Sequence, residues 1–359
     1  MRHDFDTPIP RRGTASFKWD RYGPDVLPLW VADMDFAAPP AVVAALRARA
    51  DHGVYGYALV PDSLVAAVVG HLADAYGWTV EPGWLVWLPG VVPGLALAAL
   101  AFAAPGEAVL TVLPAYPPFL EVPRDHGRRV VGVPARRREG RWWLPLEELE
   151  AAARDPGVKV VYFCHPHNPL GRVWRRDEVA ALADLCRRRD LVLVSDEIHC
   201  DLVLDDLRHE PTLTVAPDLA ERTVTLMAPS KTFNLPGLNF AFAVVPDAGL
   251  RRRFLQPGRH LLPFPGCFAV AAAEAAYRHG GPWLADLLAY LRGNRDRVEA
   301  WAAGRAGVVT THVEATYLAW LDVAGCGLAD PFAACLAAGV ALSPGSDFGD
   351  PAGLRLNFA

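Results

Sequence analysis

The chain has 359 residues, of which 52% are hydrophobic and 21% charged, and its formal net charge is −5 at pH 7. This length and composition predict roughly two globular domains with a sizeable buried core. The acidic balance gives no electrostatic footprint for nucleic acid. No run of about twenty apolar residues is free of proline, glycine and charge, which argues against a membrane-spanning helix.

The N-terminus and the cysteines bear on the cellular compartment. The first six residues lack the apolar run of a secretory signal, and the six cysteines form neither a C-x-x-C pair nor a regular framework. We therefore predict a cytoplasmic protein with reduced, mostly buried thiols. We predict no metal site.

The N-terminal residues 1–39 have the character of an arm rather than a domain. The apolar segment 27–36 lacks helical periodicity and ends just before two consecutive prolines. A helix is predicted from residue 41 to about 51, because Gly53 stops it.

The middle of the chain alternates short apolar runs with longer amphipathic ones. The predicted strands cover residues 84–88, 109–112, 158–163, 191–194, 223–227 and 240–245, and a helix is predicted from 177 to about 189. Strands that alternate with helices of this length are typical of βαβ units and a largely parallel sheet. We predict an α/β fold in which helices sandwich this sheet.

The character of the sequence changes after residue 280. A long helix is predicted over 282–305, broken or kinked near Gly293, followed by strands at 317–321 and 354–358 and a short helix at 331–338. This pattern suits a smaller α+β domain. We therefore divide the chain into an N-terminal arm (1–39) that packs with the small domain, a large cofactor-binding domain (40–280) and a small C-terminal domain (281–359).

Two polar residues stand where predicted strands end. Lys231 lies in a polar turn between two apolar strands, and Asp196 follows the strand at 191–194. Ligands of open α/β sheets bind at the carboxyl ends of strands, so these side chains can share a site. A lysine that bonds to pyridoxal phosphate and an acid for its ring nitrogen need this arrangement. Taken singly, the lysine could be solvated surface and the acid a helix cap.

Further strand ends carry residues that would complete such a site. Asn168 offers a donor for the cofactor's 3′-oxygen, Tyr116 an aromatic face, and Ser230 with the turn at 90–94 donors for a phosphate. Each also has an ordinary structural interpretation: Asn168 as a turn former, Tyr116 as core and Ser230 as a cap. Their occurrence at successive strand ends favours the cofactor site.

At this point the motifs resemble those of a known family. The chain is similar to fold-type I pyridoxal-phosphate enzymes of the aminotransferase superfamily, and within it to the MalY/PatB branch of cystathionine β-lyases and cysteine-S-conjugate lyases, which includes cystalysin. The matching segments span nearly the whole chain: 18–20 (KWD), 29–36 (LWVADMDF), 56–57 (GY), 90–94 (GVVPG), 165–171 (HPHNPLG), 195–202 (SDEIHCDL), 228–238 (APSKTFNLPGL) and 355–359 (RLNFA).

The resemblance implies catalytic roles for three residues. Lys231 would be the Schiff-base lysine and the acid/base at Cα and C4′, and Asp196 would keep the pyridinium protonated. Tyr116 would stack on the ring. Asn168 would bond the 3′-oxygen, and His199 would lie near that oxygen or be only a packed histidine.

The resemblance also implies how the phosphate and the substrate are held. The phosphate would be bound by Ser230, by the amides of Val91 and Val92, and by Tyr57 of the other subunit, which implies a homodimer with shared active sites. The substrate contacts would be Arg355, as a bidentate fork on the α-carboxylate, and Trp30 and Ala32, as pocket lining.

The implied activity is pyridoxal-phosphate-dependent C–S β-elimination from cystathionine or another L-cysteine S-conjugate, giving a thiol, pyruvate and ammonia. The same residues would also serve transamination, so a class I/II aminotransferase of amino acids or of a biosynthetic intermediate is the alternative. A second alternative is a regulatory protein that keeps the cofactor and acts through a partner. Asn239 stands where the wider superfamily has an arginine, and the absence of that arginine is common in this branch. Pro117, where similar proteins can carry a second tyrosine, and the shortened segment 256–266 leave the substrate open.

Overall fold

The structure, a computed structural model, describes residues 3–359. Over these residues the chain forms fourteen β-strands and twelve α-helices. The strands are β1 Leu27–Pro28, β2 Leu85–Leu88, β3 Ala108–Leu113, β4 Arg129–Pro134, β5 Arg136–Arg138, β6 Arg141–Trp143, β7 Val158–Cys164, β8 Val192–Asp196, β9 Thr223–Met227, β10 Ala241–Val244, β11 Leu318–Asp322, β12 Val340–Ala341, β13 Ser343–Pro344 and β14 Gly353–Asn357. The helices are α1 Pro40–Asp51, α2 Asp62–Tyr76, α3 Val91–Phe102, α4 Pro117–Asp125, α5 Leu146–Ala152, α6 Arg176–Arg188, α7 Thr212–Val215, α8 Pro229–Thr232, α9 Ala248–Leu255, α10 Cys267–His279, α11 Gly281–Ala303 and α12 Pro331–Ala337.

Seven strands form the central sheet, in the order β2-β10-β9-β8-β7-β3-β4. The pairs from β9 to β4 are all parallel, whereas β10 runs antiparallel to both β2 and β9. The connection from β9 to β10 holds one turn of α-helix and one of 3-10 helix, which is too little for the helical crossover that a parallel strand needs. The predicted α/β fold with a mostly parallel sheet is confirmed.

The central strands are apolar without alternation because helices cover both faces of the sheet. Val160 and Val194 belong to one hydrophobic core, while their chain neighbours Val161 and Leu193 belong to the core on the opposite face. Successive side chains of a strand point to opposite faces, so a strand buried on both sides must be apolar throughout. This pattern makes such strands recognisable from the sequence.

Helix α3 approaches the sheet closely because it carries Gly94 on its inner face. A Cβ atom at Gly94 would lie 2.8 Å from Cδ2 of Leu226 in β9, which is closer than side chains tolerate. The absence of a side chain therefore brings the N-terminal turn of α3 beside the end of β9.

A smaller sheet follows the long helix α11, with the strand order β11-β14-β13. The N-terminal arm packs beside it, since β1 pairs with β12. Asn357 in β14 also donates hydrogen bonds of 2.7 Å to the backbone oxygens of Val31 and Asp33. The division of the chain after residues 39 and 280 stays a prediction.

Several helical expectations differ from the structure. The predicted break near Gly293 is wrong, because α11 runs without interruption from Gly281 to Ala303. Nothing lies within 4 Å of a Cβ built at Gly293, and a single open glycine costs a helix only about 1 kcal/mol. Lys231 lies in the one-turn helix α8 rather than in an open turn. Helices α2, α4, α5, α7, α9 and α10 were not predicted.

All six cysteines are free thiols, of which three are buried and three half-buried. The expectation of mostly buried thiols therefore holds for half of them. Between residues 3 and 359, no three or more His, Cys, Asp or Glu side chains gather in a way that could hold a metal ion. None of the helices in that range is long and apolar enough to cross a membrane.

Candidate active site

A cavity of about 410 Å³ lies where the carboxyl ends of β7, β8 and β9 meet the N-terminus of α3. Most of the residues that the sequence singled out line it. They are Ala32, Val91, Val92, Tyr116, Asn168, Asp196, His199, Ser230, Lys231 and Arg355. This cavity is called the inner cavity below.

Lys231 reaches the inner cavity from helix α8, which begins directly after β9. Pro229 stands at the first helical position, where its fixed φ suits a helix start. The Nζ atom donates a hydrogen bond of 2.6 Å to the backbone oxygen of Ala32 in the arm. Burial, and next the charge of Arg355, lower the pKa of the Lys231 amine to about 8. The amine therefore exists partly as the neutral base near physiological pH.

Asp196 is the last residue of β8 and is almost completely buried. Its Oδ1 accepts a hydrogen bond of 3.1 Å from the backbone N–H of Ile198, and no side-chain donor reaches the carboxyl in residues 3–359. Burial raises the pKa of this carboxyl to about 7, although Lys231 acts in the opposite direction. A cationic N–H partner in the cavity would stabilise the carboxylate.

Arg355 in β14 is buried in the wall of the inner cavity. Its Nη2 donates to the backbone oxygen of Trp30 at 2.8 Å and to Oγ of Ser343 at 3.2 Å, and its Nη1 donates to Oδ1 of Asn168 at 3.2 Å. The Nε atom has no partner among the described residues, and burial lowers the pKa of the guanidinium to about 10. No carboxylate in residues 3–359 pairs with this cation, so it can bind an anionic ligand.

The N-terminus of α3 offers donors for a phosphate. Gly90 caps the helix without any side-chain hydrogen bond, which leaves the first amides, those of Val91 and Val92, free for an anion. Both residues line the inner cavity together with Ser230. Backbone N–H groups and the helix dipole favour an anion at such a position.

His199 and Tyr116 complete the wall of the inner cavity. Burial first, and then the charge of Lys231, lower the pKa of His199 to about 3, so its ring is neutral. Its Nδ1 is buried without a partner in the described chain, and its ring packs edge-on against Tyr317 with centroids 6.2 Å apart. Tyr116 is half-buried, and burial raises the pKa of its hydroxyl. Their predicted roles towards a cofactor stay predictions.

Two predicted site residues do not line the inner cavity. The Trp30 ring packs edge-on against Phe17 and Tyr22, with centroids 4.8 and 5.8 Å away, so only its backbone oxygen touches the site, through Arg355. The Trp30 ring is thus outside the lining of the inner cavity, and its role towards the substrate stays a prediction. Tyr57 is 94% exposed and contacts the ring of Phe264.

The structure also adds residues that the sequence did not indicate. Cys164, the last residue of β7, lines the cavity, and its Sγ accepts a 3.3 Å hydrogen bond from the backbone N–H of Asn168. Its position at a strand end was the available signal. The Tyr317 hydroxyl donates a hydrogen bond of 3.0 Å to the backbone oxygen of Ala32. The two residues are 285 positions apart in the sequence, so no local pattern could have indicated that contact.

The donors and acceptors of the inner cavity fit pyridoxal phosphate. The nearly unpartnered carboxyl of Asp196 suits a protonated ring nitrogen, and Lys231 suits the aldehyde. Asn168 would hold the 3′-oxygen. Ser230 and the start of α3 would hold the phosphate.

Comparison with known proteins agrees with this assignment. The family model for aminotransferase class I and II matches residues 24–359. Cystathionine beta-lyase PatB of Bacillus subtilis (strain 168) is 40% identical over 336 residues, which are 91% of this chain and 86% of that protein. The crystal structure of OvoB matches with a TM-score of 0.96 at 39% identity, covering 99% of this chain and 94% of that one.

A further match carries a bound cofactor. The crystal structure of cystalysin from Treponema denticola, which contains pyridoxal 5′-phosphate, has a TM-score of 0.95 at 30% identity and covers 100% of this chain and 95% of its own. The resemblance found in the sequence motifs is confirmed. On the strength of the family match over nearly its full length, the chain belongs to the aminotransferase class I and II family.

Proposed function

We propose that this protein is a pyridoxal-phosphate-dependent C–S β-lyase that acts on cystathionine or another L-cysteine S-conjugate. The observation that carries the proposal is that the amine of Lys231, the carboxyl of Asp196 and the guanidinium of Arg355 line one cavity. Elimination needs a base for the Cα proton, an acid for the cofactor ring and an anchor for the α-carboxylate. The name of PatB, a cystathionine β-lyase, supports elimination as the reaction.

The residues of this chain divide the work of elimination among them. When bound, pyridoxal phosphate supplies an electron sink next to the substrate Cα. Asp196 would keep a proton on the ring nitrogen, and Arg355 would hold the α-carboxylate so that Cα faces Lys231. The Lys231 amine would take the Cα proton, because its lowered pKa leaves it partly unprotonated.

The chemistry at Cβ balances without any further reactant except water. The Cβ–S bond breaks, the electron pair leaves with sulfur, and the thiolate takes a proton to become the thiol. The Lys231 ammonium, which would have just taken the Cα proton, can supply that proton. The three-carbon remainder is released as 2-aminoacrylate, which one water converts to pyruvate and ammonia.

The proposal is tested by incubating the cofactor-loaded protein with L-cystathionine. We expect pyruvate and thiol to form in equal amounts. Conversion of 2-oxoglutarate to glutamate without pyruvate would instead identify an aminotransferase. A Lys231→Ala variant with full biological effect in cells would favour the regulatory alternative.

Replacing Arg355 by lysine should weaken substrate binding without preventing cofactor binding. Lysine keeps the charge but loses the planar pair of donors, so we expect KM for the amino acid to rise roughly 10- to 100-fold. The measurement is a Michaelis profile of pyruvate release, with Arg252→Lys at an exposed position of helix α9 as the matched control. An unchanged KM would show that the carboxylate binds elsewhere.

A homodimer is part of the proposal, and an exposed apolar surface supports it. Tyr55, Tyr57 and Phe264 line one surface depression, and all three are more than half exposed. Exposed apolar clusters of this kind mark sites of protein association. A second copy of the chain would cover the cluster, and Tyr57 would reach the phosphate site of that copy.

Mixing two inactive variants tests the shared site directly. If Tyr57 serves the partner's site, a dimer of Tyr57→Ala and Lys231→Ala chains has one doubly damaged site and one intact site. With random two-fold pairing, we expect an unfolded and co-refolded mixture to recover about a quarter of the wild-type activity. If Tyr57 serves its own subunit, every site carries a lesion and the mixture stays inactive.

A cytoplasmic location also belongs to the proposal. The six cysteines are all free thiols, as is usual where the surroundings are reducing.

A further inference from the structure

A second cavity, of about 760 Å³, adjoins the inner cavity and is called the outer cavity here. Val31, Ala32, Lys231 and Pro236 line both cavities. The inner cavity has to hold the cofactor and the amino-acid core of a substrate. The outer cavity is thus the neighbouring space, on the other side of these shared residues, that a larger substituent on the sulfur would need.

The wall of the outer cavity is mainly apolar. Of its eighteen lining residues, twelve are apolar or glycine, and they include Ile9, Phe17, Met34, Phe36, Ala37 and Val43. Two uncharged polar side chains, Ser16 and Asn234, also line it. The Asn234 side chain accepts a hydrogen bond from the backbone N–H of Met34 and donates to the backbone oxygens of Met34 and Phe36, at 2.8 to 3.0 Å.

The charges of the arm beside the outer cavity are paired with one another. Arg11 grips both carboxylate oxygens of Asp33, at 2.8 and 3.3 Å, and also donates to Asp35 at 2.6 Å. Asp35 further accepts from the fully buried Lys18 at 2.9 Å and from the Trp19 ring N–H at 2.7 Å. Two cations and two carboxylates leave no net charge, so none of the four is available for a ligand.

The wall is also fixed in place by hydrogen bonds to its backbone. The carbonyl oxygens of residues 30 to 34 and 36 all accept from side chains, among them those of Arg355, Asn357, Tyr317 and Asn234. Backbone held in this way cannot turn its carbonyls towards a charged ligand without losing these bonds. The wall of the outer cavity therefore presents to a ligand only apolar side chains and polar groups whose hydrogen bonds are already made.

We propose that the outer cavity binds the S-substituent of the substrate and selects uncharged, apolar S-substituents over charged ones. The inference rests on the proposed function, because it names the substrate class of that same site. Lys231 also lines the outer cavity, but its amine would be engaged at the cofactor and at the substrate Cα. A charged end group in the outer cavity would therefore lose hydration without gaining an unpaired opposite charge. By this reasoning cystathionine, whose distal end is a zwitterion, is a poorer substrate than a cysteine conjugate with a short alkyl chain.

The test uses three L-cysteine conjugates of similar length: S-propyl, S-(2-aminoethyl) and S-(2-carboxyethyl). For the holoenzyme we expect kcat/KM for the propyl compound to exceed that for either charged compound by at least about fivefold. The propyl compound should also bind most tightly, with the lowest dissociation constant measured from the change in cofactor absorbance on binding. A smaller preference in both measurements overturns the proposal.

Charge variants of one exposed wall residue sharpen the test. Ala37 lines the outer cavity and is exposed. Ala37→Glu should improve the aminoethyl compound and Ala37→Arg the carboxyethyl compound, each by at least about threefold, with little effect on the propyl compound. Ala180→Glu and Ala180→Arg, at an exposed position of α6, are the matched controls and should change none of the ratios.

The outcomes separate this inference from the proposed function. Suppose that the holoenzyme releases pyruvate from all three compounds, but the Ala37 variants leave the ratios of their kcat/KM values unchanged. That result would overturn the inference and leave the proposed function intact. If no compound yields pyruvate, the proposed function fails. The binding constants then still decide whether the outer cavity prefers apolar substituents, since they read binding whatever reaction follows.

Discussion

Replacing Lys231 by alanine is expected to lower kcat for pyruvate release by roughly 10³- to 10⁴-fold, the upper range for loss of a general acid–base group. The Lys231 amine is the group placed to take the Cα proton, since it lines the inner cavity and burial lowers its pKa to about 8. The variant should still bind pyridoxal phosphate through Asp196, Asn168 and the start of α3. The cofactor would then be exchangeable by dialysis.

The chain allows an unusually clean control, because it has only three lysines: Lys18, Lys159 and Lys231. Lys18 is fully buried and held by Asp35, whereas Lys159 is partly exposed at the start of β7. Lys159→Ala should therefore keep wild-type activity. Borohydride reduction of the wild-type holoenzyme should label the peptide that contains Lys231 and no other. More than a tenth of the activity in Lys231→Ala, or a label elsewhere, would contradict the assignment.

The sequence predicted the strands that carry the site because each ends where an apolar run meets a polar residue. Strand β9 has the predicted bounds, and β7 and β8 end within two residues of the predicted positions. Buried parallel strands are apolar on both faces, so their ends are sharp in the sequence. The placement of Asp196 and Lys231 beside one cavity follows from this local pattern and from the parallel order of the sheet.

Helices with mixed or weak signals were harder to predict. Helix α4 contains three prolines, two at its first turn and Pro123 inside, and prolines are normally read as helix breakers. In α11 the error was the opposite one, because a break was predicted at Gly293 where none exists. The helix continues through Gly293 over twenty-three residues. In both cases packing against the rest of the molecule outweighs the local propensity.

The contacts that close the site join residues far apart in the chain. Arg355 meets Asn168 across 187 residues, and the arm carbonyl of Ala32 receives Lys231 across 199. No periodicity connects such positions, so the family resemblance alone predicted that Arg355 belongs to the site. The resemblance did not predict that Trp30 contacts Arg355 through its backbone oxygen while its ring lies outside the inner cavity. The position of that ring depends on its packing against Phe17 and Tyr22.

Replacing Asp196 by asparagine is expected to separate catalysis from stability. Asparagine keeps the shape of the side chain but cannot balance a protonated ring nitrogen. Loss of one partner of a buried ion pair costs roughly 3–5 kcal/mol, so we expect pyruvate release to fall roughly 10²- to 10⁴-fold. Cofactor affinity should fall as well, as measured by titrating the cofactor-free protein with pyridoxal phosphate.

The same substitution should stabilise the cofactor-free protein above neutral pH. Burial raises the pKa of Asp196 to about 7 from an ordinary value of 3.8, so the folded state holds a proton that the unfolded state releases between these values. The wild-type protein therefore loses stability as pH rises from about 4 to about 7, by about 4 kcal/mol in total, and loses no more above that. Asparagine has no such charge to bury.

Urea unfolding of the cofactor-free proteins should show Asp196→Asn more stable than wild type at pH 8 and nearly equal at pH 4.5. Asp190→Asn, where the side chain is 92% exposed, should show no comparable dependence. Equal stability of Asp196→Asn and wild type at pH 8 would mean that a cation already neutralises Asp196 before the cofactor binds, and the carboxyl would then be an unsuitable partner for the ring nitrogen.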